Sequence, residues 1–347
     1  MMESKYLSHG EIHSQYVSLG LTVDFMLENS GPIRQFFSLG RDIVFVACGS
    51  SYWMSLSAHR SVKRLTGRRS YAIKAADVVL CPEEYTGLYD DPIFICPSRS
   101  GLTRELLDAV DILKEAYPGG KVFSFIEYKE NDLSKKSDMH LNLHWANEES
   151  VCQTRSFSNL YAASVVLAAI VGQDETNIAS LKEYLKAAPN LYAEHEPAIR
   201  GLADPKKIKS LATLGCGLQY GLVVEGAYIV IEMAEFAANY YHLLEYRHGP
   251  VVTTGEGAAI FICAGVSDEH EMKMAEEIRS TGALVYAVAP EDREWADRTF
   301  ALGRDYGREA AALHFVFVMQ SFAHHFSVAR GRNPDSPGKL VRYINYP

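Results

Sequence analysis

Apolar side chains run along this chain in two rhythms. Residues 11–27 carry them at helical spacing (Ile12, Tyr16, Leu19, Val23, Met26), which predicts one or two N-terminal helices. Residues 42–47, 92–97 and 121–126 are instead short, continuous, largely β-branched or aromatic runs, as in Ile43-Val44-Phe45-Val46-Ala47. Runs of that kind suit strands buried on both faces. The first stops at Cys48-Gly49-Ser50-Ser51 and leads into a helix over 52–65. The second stops at Ser98-Arg99-Ser100-Gly101 and leads into a helix over 103–116. Residues 70–80 supply another strand with its connection, 139–143 a fifth strand, and 157–171 a long apolar helix.

The second half repeats this order. A strand over 211–214 ends at Gly215-Cys216-Gly217-Leu218-Gln219-Tyr220, so the Cys-Gly turn recurs 168 residues after Cys48. A helix over 223–239 follows, then strands over 258–263 and 284–289 with a helix over 269–280 between them, and a final helix over 309–330. Residues 172–205 read as the crossover. Strands alternating with helices predict an α/β protein. Each half is expected to be a parallel sheet flanked by helices, a flavodoxin-like three-layer α/β/α arrangement, in domains 1–172 and 173–347.

Composition narrows the function. The 347 residues are 48% hydrophobic and 22% charged, enough for a large core, and the net charge is −9. That balance argues against a nucleic-acid or membrane-surface binder, which needs a basic face. The six cysteines form no Cys-x-x-Cys pair and read as reduced, buried, small hydrophobes. The first residues lack an apolar signal core and no run of eighteen apolar residues occurs, so a cytoplasmic protein is expected.

The candidate chemistry starts at the two hydroxyl-rich turns. Both lie at the carboxyl ends of predicted parallel strands, where open α/β sheets bind ligands, and both open a helix. Helix starts offer unpaired N–H groups and partial positive charge to an anion. Gly49 and Gly101 permit close backbone approach, while Ser50, Ser51, Ser98, Ser100 and Thr103 add hydroxyl donors. The plainer alternative is helix capping. The repeat weighs against it, because Leu218 and Gln219 stand where the first half has Ser50 and Ser51. A single phosphate site explains that loss.

Two titratable residues stand out later. Glu232 lies among Ile229, Val230, Ile231 and Met233, where desolvation would lift a carboxyl toward the range of a general base. Its alternative is a solvated position beside Glu225 and Glu235. His248 precedes Gly249-Pro250 and reads either as a turn residue or as a catalyst.

Taken together in this order and spacing, Cys48 to Tyr52, Ser98 to Thr103, Glu148 to Ser156, Glu225-Gly226-Ala227 with Glu232, Arg247 to Pro250 and Asp335-Ser336-Pro337 resemble the sugar isomerase (SIS) family. The resemblance is to proteins with two tandem SIS domains, such as the isomerase half of glucosamine-6-phosphate synthase, and spans nearly the whole chain. It implies a sugar 6-phosphate held by Ser50, Ser51, Ser98, Arg99, Ser100 and Thr103, with Val151 and Gln153 lining the sugar. It also implies Glu232 as the proton shuttle between C1 and C2, and His248 as the ring-opening residue near or across the interface of a homodimer. The C-terminal tail would close over the substrate. No cofactor, metal, nucleic acid or membrane is implied. The chain begins in the isomerase region, so no glutaminase segment is expected. Ile229 stands where the synthase has a lysine, and Arg342 where it has the Schiff-base lysine, with Lys339 out of register. A guanidinium stays protonated and is no amine nucleophile. The expected reaction is therefore that of a deaminase or deglycase acting on an amino-substituted sugar 6-phosphate. A plain aldose–ketose isomerase and a non-catalytic phosphosugar sensor are the alternatives.

Overall fold

The computed structural model describes residues 5–344. They form two compact units. The first comprises Gln15–Glu148, Arg155–Ala179 and residues 341–344; the second comprises residues 5–14, Glu149–Thr154 and Ser180–Leu340.

The chain opens with α1 (Leu7–His13), part of the second unit. The first unit then runs α2 (Gln15–Glu28), α3 (Ser30–Phe37), β1 (Ile43–Ala47), α4 (Gly49–Thr66), β2 (Ser70–Lys74), α5 (Ala75–Leu80) and β3 (Ile93–Ser98). It continues with α6 (Arg104–Ala116), β4 (Lys121–Ile126), α7 (Leu133–Lys136), β5 (Met139–Asn142) and α8 (Arg155–Gly172). The sheet order is β2-β1-β3-β4-β5 and every pair is parallel. Central strands β1 and β3 are buried at every position, as their continuous apolar runs require. Among the described residues, α8 alone is long and apolar enough to cross a membrane. It packs against α2 and α4, and 83% of its apolar stretch is buried, so it serves as a core helix.

The chain proceeds through α9 (Glu175–Leu202), β6 (Ser210–Gly215), α10 (Tyr220–Ala234), β7 (Ala238–His242) and β8 (Ala258–Cys263). Then come α11 (Asp268–Arg279), β9 (Leu284–Ala289), β10 (Arg298–Ala301) and α12 (Arg308–Ala329). The second sheet, also parallel, has the order β7-β6-β8-β9-β10. In each sheet, therefore, the second strand in sequence lies at one edge, followed by the first, third, fourth and fifth. The two sheets share one connectivity.

Three local expectations change. The helix expected over 223–239 stops at Ala234, because Glu235 turns left-handed (φ 48°) and the chain re-enters the sheet as β7. Strands β7 and β10 sit at the sheet's edges, and half-exposed edge strands do not carry a continuous apolar run. Residues 172–205 are mostly the long helix α9, whose internal Pro189 and Pro197 mask its period. Of the six cysteines, Cys96, Cys152 and Cys263 are buried and the other three are half-buried; all are free thiols. Burial, helped by the Glu105 charge, pushes the Cys48 thiol up to about 12, so it stays protonated at neutral pH.

Candidate functional site

Strands β1 and β3 are hydrogen-bonded neighbours, so the turns that leave their carboxyl ends emerge side by side. Gly49 (φ 52°) and Gly101 (φ 63°) both occupy the left-handed region that a side chain resists. At Gly101 a Cβ would also lie 2.8 Å from the Asn131 Cβ. Ser50, Ser51, Ser98 and Ser100 are each about 95% buried on these loops. The Ser98 Oγ accepts from the Gly101 N–H at 3.0 Å and the Ser100 Oγ from the Leu102 N–H at 3.1 Å. An oxygen that accepts still has its own O–H to donate, and that hydrogen suits an anion. Thr103, the N-cap residue of α6, makes no side-chain cap, and neither does Cys48 at α4. Capping thus does not account for the side chains at these two positions.

Arg99 is buried and turned away from a simple surface role. One guanidinium nitrogen lies 3.5 Å from Glu148 Oε1 and another donates to the Arg342 carbonyl at 2.8 Å. The tail residue named by the sequence therefore meets the second turn through its backbone, while the turn's own Arg99 carbonyl accepts from the N–H groups of Glu127 and Tyr128. Glu148 in turn accepts from the Arg155 N–H at 2.9 Å and from the Ser156 hydroxyl. Beside them, at the end of β4, Glu127 helps line a cavity of about 480 Å³ with Tyr128, Lys129, Glu130, His144 and Asn147.

Burial, and then the Glu148 charge, hold the Glu127 carboxyl well above the ordinary range; Arg99 and Arg155 oppose this less strongly. The folded protein thus keeps a proton that the unfolded chain releases as pH rises past the ordinary carboxyl value, and stability falls with pH through that window. Glu127→Gln removes the titration. Urea melts of both proteins should diverge between acid and neutral pH, the variant gaining on the wild type as pH rises; parallel curves would contradict the assignment.

The second unit supplies the contrast. Its first turn keeps the left-handed glycine (Gly217, φ 57°) although the hydroxyls are gone. At the end of β8, the Glu271 carboxylate, itself buried, accepts from the N–H groups of Gly265 (3.1 Å), Val266 (2.8 Å) and Ser267 (3.1 Å). A cluster of converging N–H groups is an anion site. Here the chain's own carboxylate fills it, next to a cavity of about 260 Å³ lined by Cys216, Gly217, His242 and Glu271 among others. This internal anion was not legible as such in the sequence, where Glu271 is one of five acidic residues, with Asp268, Glu269, Glu276 and Glu277.

Also in this unit, Glu232 is half-buried on α10. Glu225, Tyr228 and Glu232 follow each other at helical spacing on one face, and both carboxylates act with burial to raise the Tyr228 phenol. Glu225 is fully buried, not solvated; its neighbour Gly226 lies so close to α12 that a Cβ there would meet Phe315 at 2.7 Å. His248 is exposed, with Gly249 beyond it at φ 139°. Val151 donates its N–H to the Asp335 carbonyl at 2.8 Å, and Glu11 accepts from the N–H groups of Glu149 (2.6 Å) and Ser150 (3.3 Å). The segment is thereby pinned from two sides of its own unit. Gln153 is half-buried, with its Oε1 enclosed and accepting no hydrogen bond.

No family model matches the chain. It is similar to glutamine–fructose-6-phosphate aminotransferase (isomerizing) of Pyrobaculum aerophilum, 28% identical over 319 residues, covering 88% of this chain and 51% of that protein. The same enzyme of Neisseria meningitidis is 27% identical over 363 residues, 96% of this chain and 57% of that protein. The chain spans about half the length of the curated relatives it matches. Among solved structures, tagatose-6-phosphate ketose/aldose isomerase from Escherichia coli superposes with a TM-score of 0.86 at 18% identity, over 97% of this chain and 96% of that one. Glucosamine-6-phosphate deaminase from Thermotoga maritima gives 0.76 at 24% identity, over 93% and 99%. With two parallel five-stranded sheets flanked by helices, the chain has the α/β fold of the SIS phosphosugar isomerases.

Proposed function

We propose that the chain is a phosphosugar enzyme, built of two tandem SIS domains (1–172 and 173–347), that moves a proton between C1 and C2 of an amino-substituted sugar 6-phosphate and releases ammonia or an amino acid. The observation that carries this reading is the pair of adjacent loops on β1 and β3, whose buried serines keep hydroxyl hydrogens to donate while the counterpart at β8 is filled by Glu271. Gly49, Ser50, Ser51, Ser98, Ser100 and Thr103 hold the phosphate. Arg99 acts from behind the second loop, through Glu148 and the Arg342 carbonyl. Val151 and Gln153 line the sugar. The names of the relatives, all enzymes of phosphorylated hexoses, support the substrate class.

In this scheme Glu232 is the base and His248 protonates the ring oxygen as the sugar opens. With an amine on C2, loss of the C2 proton gives an enolamine, and return of that proton to C1 leaves a C2 imine. Water then adds and ammonia departs. With an amino acid on C1 of a ketose, the same transfer runs from C1 to C2, and hydrolysis of the C1 imine frees the amino acid. The substrate brings its own nitrogen, so no lysine imine is required, consistent with Ile229 and Arg342 at the lysine positions. The phosphate, remote from C1 and C2, contributes orientation. The exposed His248 suits a residue shared with a partner subunit in a cytoplasmic homodimer.

Incubation with glucosamine 6-phosphate, fructoselysine 6-phosphate and fructose 6-phosphate, with assays for ammonia, lysine and aldose, separates the reactions. Ammonia or lysine release supports the proposal. Interconversion of fructose 6-phosphate without amine release makes it a plain isomerase, and saturable binding without turnover of any of the three makes it a sensor. Joint replacement Ser50→Ala, Ser100→Ala is expected to raise KM for the phosphorylated sugar about 100-fold or more, since each of the two lost hydrogen bonds to a charged group is worth about 1.5–3 kcal/mol. An unchanged KM removes the phosphate from these loops.

A further inference from the structure

Away from these loops, four side chains in the second unit converge on one point. His9 and His13 lie one turn apart on α1, Glu196 lies in α9 and His325 near the end of α12. The Nε2 atoms of His9, His13 and His325 stand 2.7, 3.6 and 3.4 Å from the same oxygen, Glu196 Oε1. All four potential ligand atoms lie within 4.8 Å of one another. A tetrahedral ion with bonds of about 2.0–2.1 Å needs ligand atoms about 3.3 Å apart.

One hydrogen bond, from His9, does not explain this convergence. His13 Nε2 is buried without a hydrogen bond, and the buried His325 Nε2 approaches Oε1 without hydrogen-bond geometry. The His9 and His13 rings stack at 4.4 Å, as two imidazoles one helical turn apart do when both point to a common centre. Three imidazoles and a carboxylate form a set suited to a borderline-soft divalent ion rather than to calcium or magnesium, which take oxygens. The side chains are between 12% and 25% exposed, which leaves an entry path.

We propose that His9, His13, Glu196 and His325 form a structural site for a zinc-type divalent ion. The ion replaces the His9–Glu196 hydrogen bond and ties α1 to α9 and α12. Its effect reaches beyond the four ligands, because α1 also carries Glu11, which grips Glu149 and Ser150, and its first N–H groups, of Leu7 and Ser8, each donate to Asp335 at 2.9 Å. A loaded site therefore steadies the Glu149–Thr154 segment.

Chelator-stripped full-length protein, titrated calorimetrically with zinc chloride, should bind one equivalent more than His13→Ala or His325→Ala. Cobalt(II) should give the intense visible absorption of a tetrahedral centre in the wild type and lose it in both variants. Zinc should raise the melting temperature of the wild type and leave that of the variants unmoved. Glu196→Gln, which keeps the hydrogen-bonding shape, serves if an alanine variant fails to fold, and should weaken zinc binding at least 10-fold. No saturable zinc equivalent in the wild type, or an equal one in the variants, overturns the site and leaves the phosphosugar reading untouched.

Discussion

Glu232→Gln should lower kcat for the productive sugar phosphate by roughly 10²–10⁴-fold, the contribution typical of a positioned general base, and leave KM little changed. The amide keeps the size and hydrogen-bonding outline of the carboxylate but accepts no proton. Glu232 is half-buried on α10 and shares a face with Tyr228 and Glu225, so the substitution leaves the apolar packing of α10 on α12 intact. The direct readout is isotopic. In D₂O the wild type should place deuterium at the carbon that receives the proton, and the variant should lose this exchange in step with kcat. Unchanged turnover, or exchange that persists at the wild-type rate, would remove Glu232 from proton transfer. Glu225→Gln is the companion measurement. A loss there with Glu232→Gln silent would move the chemistry one face-turn deeper.

The second large effect concerns stability. Glu148 and Arg99 are both almost fully buried, and removing one member of such a pair strands the other's charge. Glu148→Ala also releases the Arg155 N–H and the Ser156 hydroxyl. The expected cost is about 3–5 kcal/mol. For a unit of this size each kcal/mol moves the melting temperature by about 2–4 °C, so a drop of about 10 °C is expected. Glu127 tempers the loss: with Glu148 gone, its carboxyl is freer to ionise beside Arg99 and take over part of the pairing. Glu148→Ala combined with Glu127→Gln should accordingly cost more than the two singly summed. A simple sum would show that the two carboxylates do not share the arginine.

Much of the fold was legible because its central strands are unambiguous. Ile43 to Ala47 and Ala258 to Cys263 are apolar at every position and buried at every position. Edge strands β7 and β10 were not legible, since a strand with one open side need not be apolar throughout. The hydroxyl loops were readable from residue type and position at strand ends. Their surroundings were not. Glu127 sits at the end of a strand that otherwise reads Val122 to Ile126, but nothing local says that Glu148 and Arg155, some twenty to thirty residues on, share its interior. Glu271 is one acid among the five of the α11 segment, and nothing local marks it as the buried one. Glu225 looked solvated because its neighbour Gly226 conceals how closely α12 approaches. Such residues owe their state to contacts between distant segments, which periodicity does not encode.

Glu271 has a consequence for the concentrations at which this protein responds to anions. A carboxylate tethered in the same chain competes with free phosphate as though present at an effective concentration of the order of millimolar or higher. It is never diluted, and it is already seated on three N–H groups. Inorganic phosphate or substrate at ordinary concentrations will not displace it, so anion binding should saturate in a single phase. In the proposed scheme the second sheet is a receptor permanently occupied by its own ligand, and only the first is left for the supply of sugar phosphate to tune.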